Sequence, residues 1–323
     1  MKILEPYKAI FLHHLEEELV PKEPTNLYKP ISYILSIGGK RLRPLLAMLM
    51  CDVYGSAPEK AIHAAMAVEI FHNFTLVHDD VMDHAALRRG KQTVHEKWNL
   101  NTAILSGDAM MIRAYQFLEN YDNDLHKPLT KLFSNTALQV CEGQQLDVDF
   151  EEREDVTIEE YLQMIIYKTS VLIGAAMKMG ALIANVPDNE AQKVYDFGLN
   201  LGIAFQLKDD YLDTFGNAEI FGKKIGGDIL ENKKTLLYLK ALEKADETSK
   251  KKLTAWYRTN EQSEQKIKEV TNIFSSLKID EVVKKEIVKY NEKAFEFLSQ
   301  LSISKEKSTI LKQFSDQLSK RII

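Results

Sequence analysis

Two groups of aspartates in this chain repeat one spacing. Asp79, Asp80 and Asp83 close one apolar run, and Asp209, Asp210 and Asp213 close another about 130 residues later. On a helix, residues four apart project from one face, so Asp79 pairs with Asp83 and Asp209 with Asp213, with Asp80 and Asp210 about a quarter turn away. Carboxylates this close repel unless a cation joins them. Hard divalent ions, Mg²⁺ above all, are held by one or two carboxylates and complete their shell with waters and substrate phosphates. Each acidic group is followed by bases: Arg88, Arg89 and Lys91 after the first, and Lys223, Lys224, Lys233 and Lys234 around a glycine turn after the second. Guanidinium forks and ammonium point charges suit phosphate oxygens. A single DDxxD pattern arises by chance in roughly one chain in fifteen of this length, two in very roughly one in several hundred. Two merely solvated acidic helix ends would have to place acids twice where the helix dipole is already negative. Acid then base, in two copies, therefore indicates a metal-bridged phosphate site.

The elements that must carry these groups read as helices. Ile62, Met66, Ile70, Asn73 and Val77 recur at spacings of three and four, which predicts a long central helix ending in the first acids. Ser56 and Glu59 are spaced as a capping box at its start. The stretches 4–20, 27–37, 44–53, 101–120, 125–150, 157–184 and 190–214 show the same periodicity, and 236–323 is amphipathic helix with Lys and Glu outward. No convincing strand is visible, so the expected class is all-α. The pair Gly38-Gly39 stops one helix, and Lys40, Arg41 and Arg43 then stand at the start of the next, where cations and free backbone donors suit an anion. Gln144, Gln145 and Asp147 are polar where the apolar pattern would continue. Tyr167, Lys168 and Thr169 interrupt another apolar helix, and a lysine buried there needs a charged partner.

Composition excludes several classes. The 45% apolar and 28% charged fractions are those of an ordinary soluble protein, and a net charge of -5 argues against nucleic acid as the main partner. Cys51 and Cys141 are the only cysteines, so no disulfide framework or zinc cluster is indicated, and a reducing cytoplasm fits. Acids and histidines in the first twenty residues replace the apolar run of an export signal. The most membrane-like stretch, 171–186, is short and carries Lys178, which favours a buried helix over a span.

Taken in order, GGKRLRP (38–44), DDVMD (79–83) with RRG (88–90), GQQLD (143–147), KT (168–169), QLKDDYLD (206–213), and KKIGGD with NKK (223–234) resemble the trans-isoprenyl diphosphate synthase family, the polyprenyl synthetases. The resemblance covers nearly the whole chain. It implies one polyprenyl synthetase domain over 1–323, an all-α bundle around a central active-site cavity with the acidic motifs facing each other, and a homodimer. It implies a prenyltransferase that condenses isopentenyl diphosphate with dimethylallyl, geranyl or farnesyl diphosphate. Carried over residue by residue, Asp79, Asp83 and Asp209 would hold three Mg²⁺ ions, supported by Asp80, Asp210 and Asp213. Arg88, Lys168 and Lys233, with Lys224 and Gln206 beside them, would grip the allylic diphosphate. Lys40, Arg43, His72 and Arg89 match the isopentenyl pocket, Arg41 could belong to either set, and Gln144 is a further substrate contact. Thr169, the Lys168 carbonyl and Gln206 would face the allylic carbocation.

Chain length follows from the same helix. Phe74, five residues before the motif, occupies the position where this family floors its tail tunnel; Thr75 lies one turn below Asp79 and Phe71 two turns below. A single aromatic there resembles synthases making C15 to C20 products, with C20 favoured. A terpene cyclase would usually replace the second acidic motif with one ending in glutamate, and a non-catalytic regulatory subunit typically loses one motif. His63, His72, His78, His84 and His95 could suggest an HD-type metal phosphohydrolase, in which the second acidic motif and the lysine loops would have no role.

Overall fold

In the computed structural model, residues 2–216 and 225–320 are described. Among them the only strand pairing is a short hairpin, β1 (Leu87–Arg88) against β2 (Lys91–Gln92), and the remaining regular structure is helical. The all-α expectation holds. The chain divides into two compact units, Met1–Asn135 with Ala175–Tyr195, and Thr136–Gly174 with Asp196–Ile323.

The first unit contains α1 (Glu5–Glu18), α2 (Thr25–Ser36), α3 (Leu42–Val53), α4 (Ile62–Met82), the hairpin, α5 (Val94–Lys97), α6 (Leu100–Leu118) and the start of α7 (Asn123–Glu152). Helices apolar on every side are core helices. That describes α3, buried from Pro44 to Cys51, and α4, buried from Ala64 to Phe71. The small residues Ala103, Gly107 and Ala114 are buried on α6, which lies along α4. The expected Ser56–Glu59 capping box does not form. Pro58, whose fixed φ suits a first helical position, opens a 3-10 turn over Pro58–Ala61, which takes Glu59 into that turn; α4 then starts at Ile62 without a side-chain cap.

The second unit takes the rest of α7, then α8 (Ile158–Ile165), a π turn (Ile166–Ser170), the start of α9 (Val171–Ile183), and the C-terminal part of α10 (Asp188–Phe215). After the gap in the description come α11 (Gly227–Leu230), α12 (Leu236–Lys244), α13 (Glu247–Tyr257), α14 (Glu264–Ser276), α15 (Ile279–Ser299) and α16 (Lys305–Lys320). Their apolar faces meet in one core containing Leu207, Leu237, Leu253, Val270, Ile279 and Val283. A capping box does form at α8, where the Thr157 hydroxyl accepts from Glu160 N–H at 3.2 Å and Glu160 accepts from Thr157 N–H at 2.9 Å. Ile158–Ile183 is long and apolar enough to cross a membrane, yet 72% of its most apolar window is buried inside the protein. It is a core helix here.

Candidate active site

In the first unit the acids close α4. Asp79 is half-buried and Asp83 exposed at the helix end, while Asp80 is fully buried. Arg88, on β1, donates from Nε to both Asp80 oxygens at 2.8 and 2.9 Å, and its Nη2 lies 2.7 Å from Oδ1. Asp80 thus holds an arginine in place. The hairpin carrying Arg88 and Arg89 is closed by Thr93, whose hydroxyl donates to Ala85 O at 2.7 Å, and tied to α2 by Tyr33, whose hydroxyl donates to Gln92 O at 2.8 Å.

Arg89 reaches the glycine loop, donating to Gly38 O. Gly39, at φ +135°, lies under that guanidinium, and a Cβ there would come within 2.6 Å of Arg89 Nη1. The glycine pair therefore gives a basic side chain room to lie flat on the backbone beside Lys40. Arg43 donates to His72 Nε2 at 3.1 Å. An arginine can only donate, so that nitrogen carries the lone pair. Burial, then the neighbouring Arg43, Arg89, Arg88 and Arg41, hold His72 well below the usual imidazole range, so it is neutral. Burial lowers Arg43 to about 10, which leaves it charged at neutral pH, and its Nε is buried without a protein partner. This is a cluster of cations with an unspent donor.

Arg41, the cation that could belong to either substrate set, is committed inside the protein. It is buried, and it donates to Glu69 on α4 and to Leu35 O at the end of α2. An acid buried in an apolar helix needs such a partner. Of the chain-length residues, Phe71 is fully buried against Phe133 and Phe74, with centroids 5.3 and 5.5 Å away, and Phe74 lies edge-on to His78 at 4.7 Å. The Thr75 hydroxyl donates back to His72 O at 2.9 Å.

In the second unit one cleft collects Asp147, Lys168, Thr169, Gln206, Asp210 and Lys233, with Tyr161 and Asp228 in its wall. The Lys168 ammonium donates to Asp147 at 2.5 Å, the charged partner its setting required. Lys168 and Thr169 lie in the π turn, an irregularity common at functional sites. Two glycines admit it. A Cβ on Gly143 would sit 2.3 Å from Lys168 N, and one on Gly202 2.8 Å from Ser170 Cα. From the turn runs a directed chain: the Thr169 hydroxyl donates to Gln206 Oε1 at 3.0 Å, and Gln206 Nε2 donates to Asp210 Oδ1 at 2.8 Å. Tyr161 donates to the other Asp210 oxygen at 2.5 Å.

Asp213 accepts from Asp228 N–H at 2.9 Å, so it caps α11 as well as facing the acids. Burial, reinforced by Asp210 and Asp213, pushes Asp228 up to about 8, and burial likewise pushes Asp210 up to about 6. Asp209 stands half-buried between Lys208 and Asp210. Burial opposes the charge of Lys233, but Asp228, Glu231 and Asp147 together hold it above the usual range, with Glu231 2.9 Å away. Gln144 has both amide atoms buried without a protein partner and does not line this cleft. Lys224 lies outside the described residues.

Among the described residues no three His, Cys, Asp or Glu side chains form a ready-made metal cage. The raised carboxylates of the second unit are those a bound cation would return to their charged form. Tyr161 and Asp228 were absent from the expected site residues. Asp228 follows the glycine turn and was detectable as an acid among lysines, whereas nothing near Tyr161 in sequence marks it.

The chain is similar to known proteins along most of its length. The chain is 44% identical over 231 residues to the geranylgeranyl diphosphate synthase of Methanosarcina mazei, covering 71% of each chain. It is 39% identical over 254 residues, 78% of each, to the short chain isoprenyl diphosphate synthase of Methanothermobacter thermautotrophicus. A crystal structure of a geranylgeranyl pyrophosphate synthase superposes with a TM-score of 0.94 at 50% identity over 98% of both chains. The Polyprenyl synthetase family model matches residues 24–274, which contain both acidic motifs, the glycine loop, the hairpin arginines and the lysine-bearing π turn, and the chain belongs to that family.

Proposed function

We propose that this chain is a short-chain prenyltransferase that joins isopentenyl diphosphate head-to-tail to an allylic diphosphate, with a C20 product favoured and pyrophosphate released. The observation that carries this reading is the Thr169–Gln206–Asp210 chain, because it aims one polar group in a fixed sense. The Thr169 proton is committed to Gln206, so the hydroxyl offers its lone pairs outward. An oriented oxygen dipole that cannot turn stabilises positive charge at the allylic carbon without attacking it. Lys168 and Lys233 meet the allylic diphosphate oxygens, and Arg88, steadied by Asp80, serves the same group. The Arg43–His72 pair, Arg89 and Lys40 hold the diphosphate of isopentenyl diphosphate, with neutral His72 adding no charge of its own. Asp79, Asp83 and Asp209, supported by Asp210 and Asp213, are the residues to hold as many as three Mg²⁺ ions, which when bound supply positive charge against the departing pyrophosphate. The allylic C–O bond breaks, the new C–C bond forms from the isopentenyl double bond, and the released pyrophosphate takes the proton. No protein nucleophile is needed.

The family resemblance further supports a cytoplasmic homodimer built from the single domain 1–323. Leu105 and Ile112, both exposed on α6, are apolar surface that a second copy would cover. Light scattering on the purified chain tests this, and a monomer would refute it. The function is tested by incubating isopentenyl diphosphate with dimethylallyl, geranyl or farnesyl diphosphate, with Mg²⁺ or with EDTA, followed by product chromatography. Metal-dependent C20 product is expected. Failure of folded protein to condense any primer would overturn the proposal in favour of a cyclase or a non-catalytic subunit.

A further inference from the structure

Lys266, on α14, is a fully buried lysine. Its ammonium lies 2.7 Å from Asn232 Oδ1, 2.9 Å from Thr259 O and 3.5 Å from Leu230 O. All three acceptors are uncharged, one for each ammonium proton. A cation is rarely buried against neutral acceptors; Glu261 favours its charge, while its hydrogen bonds are spent on closing this turn. Two of the acceptors belong to residues 230–232, where the chain leaves α11 and Asn232 takes a left-handed φ of 58°. The Asn232 amide is held from its other side as well, donating to Thr259 O at 3.0 Å.

The next residue is Lys233. Its N–H returns to Asp228 O at 2.9 Å, and its ammonium lies 2.9 Å from Glu231 and 4.0 Å from Asp228 at the cleft. Lys266 therefore fixes the backbone immediately before a cation of the site, from a helix that contributes nothing else to the cleft. An apolar side chain of similar length would fill the space but leave Asn232 Oδ1 without its donor, while Leu230 O keeps Gln262 at 3.1 Å and Thr259 O keeps the Asn232 amide, so the turn would be held from one side only.

We infer that Lys266 is a positioning residue for the allylic diphosphate subsite, acting through Asn232 on Lys233. The inference rests on the proposed role of Lys233 as a diphosphate contact. Steady-state kinetics of the full-length Lys266→Met and Lys233→Ala variants, with geranyl diphosphate and isopentenyl diphosphate varied in turn, test it alongside thermal unfolding. For Lys266→Met, KM for geranyl diphosphate should rise about tenfold while KM for isopentenyl diphosphate stays within about twofold. A lower Tm with both KM values unchanged would mean a merely structural lysine and would overturn the inference. If Lys233→Ala itself leaves KM for geranyl diphosphate unchanged, the role of Lys233 fails instead. If Lys266→Met does not fold, Asn232→Gly keeps the left-handed turn without the amide; it should show the same split at about threefold, and equal KM values would again refute the inference.

Discussion

The guanidinium of Arg88 embraces the buried carboxylate of Asp80, with Nε within 2.9 Å of both oxygens. The second aspartate of the first motif is thereby committed to an arginine. Removing either partner leaves the other charged and without its counter-ion. Because Arg88 is a quarter exposed, Asp80→Ala should cost about 3 kcal/mol, the low end for breaking a buried pair. Chemical denaturation checks the value. Asp83→Ala, at an exposed position, should leave stability nearly unchanged while abolishing metal-dependent turnover.

Phe74 and Phe71 differ in the same way. Phe71 is sealed between Phe133 and Phe74, so Phe71→Ala should lose about 3 to 5 kcal/mol. Phe74→Ala should instead lengthen the product beyond that of the parent enzyme. Chromatography of dephosphorylated products reads this, and an unchanged distribution would remove Phe74 as the floor of the tail tunnel.

The depressed His72 has a stability consequence. The folded state keeps this imidazole neutral, whereas in the unfolded chain it takes a proton below about pH 6.5, so stability contributed at neutral pH is lost as pH falls through that value. His72→Gln, which preserves an acceptor for Arg43, should show a smaller fall in Tm between about pH 7.5 and 5.5 than the parent. Over the same range KM for isopentenyl diphosphate should show no inflection assignable to His72.

Gly143 should tolerate no side chain. A methyl group would meet Lys168 N at 2.3 Å and push the π turn out of register. Gly143→Ala should lower kcat about 100-fold, the scale of a displacement near one ångström, with circular dichroism unchanged.

Most of the helices, and both acidic motifs at their ends, were legible in the sequence, because a period of 3.6 and a carboxylate spacing of four are written in contiguous residues. The need of Lys168 for an acid was legible for the same reason, since its neighbours along the helix are apolar. Its partner was not: Asp147 lies 21 residues earlier, on another helix. The Ser56–Glu59 box failed because Pro58, standing between the two residues, opens a separate turn, a local signal that outweighs the capping spacing. Arg41 looked like its neighbours in a basic cluster, yet packing turns it onto Glu69, 28 residues away. Tyr161 on Asp210 and Lys266 on Asn232 are contacts of the same kind. By itself the sequence determined the all-α fold, the reactive residue types and the side of each helix that carries them. Only the tertiary structure decided which of those groups are spent on one another, because spacing sets what shares a face, while packing sets which faces meet.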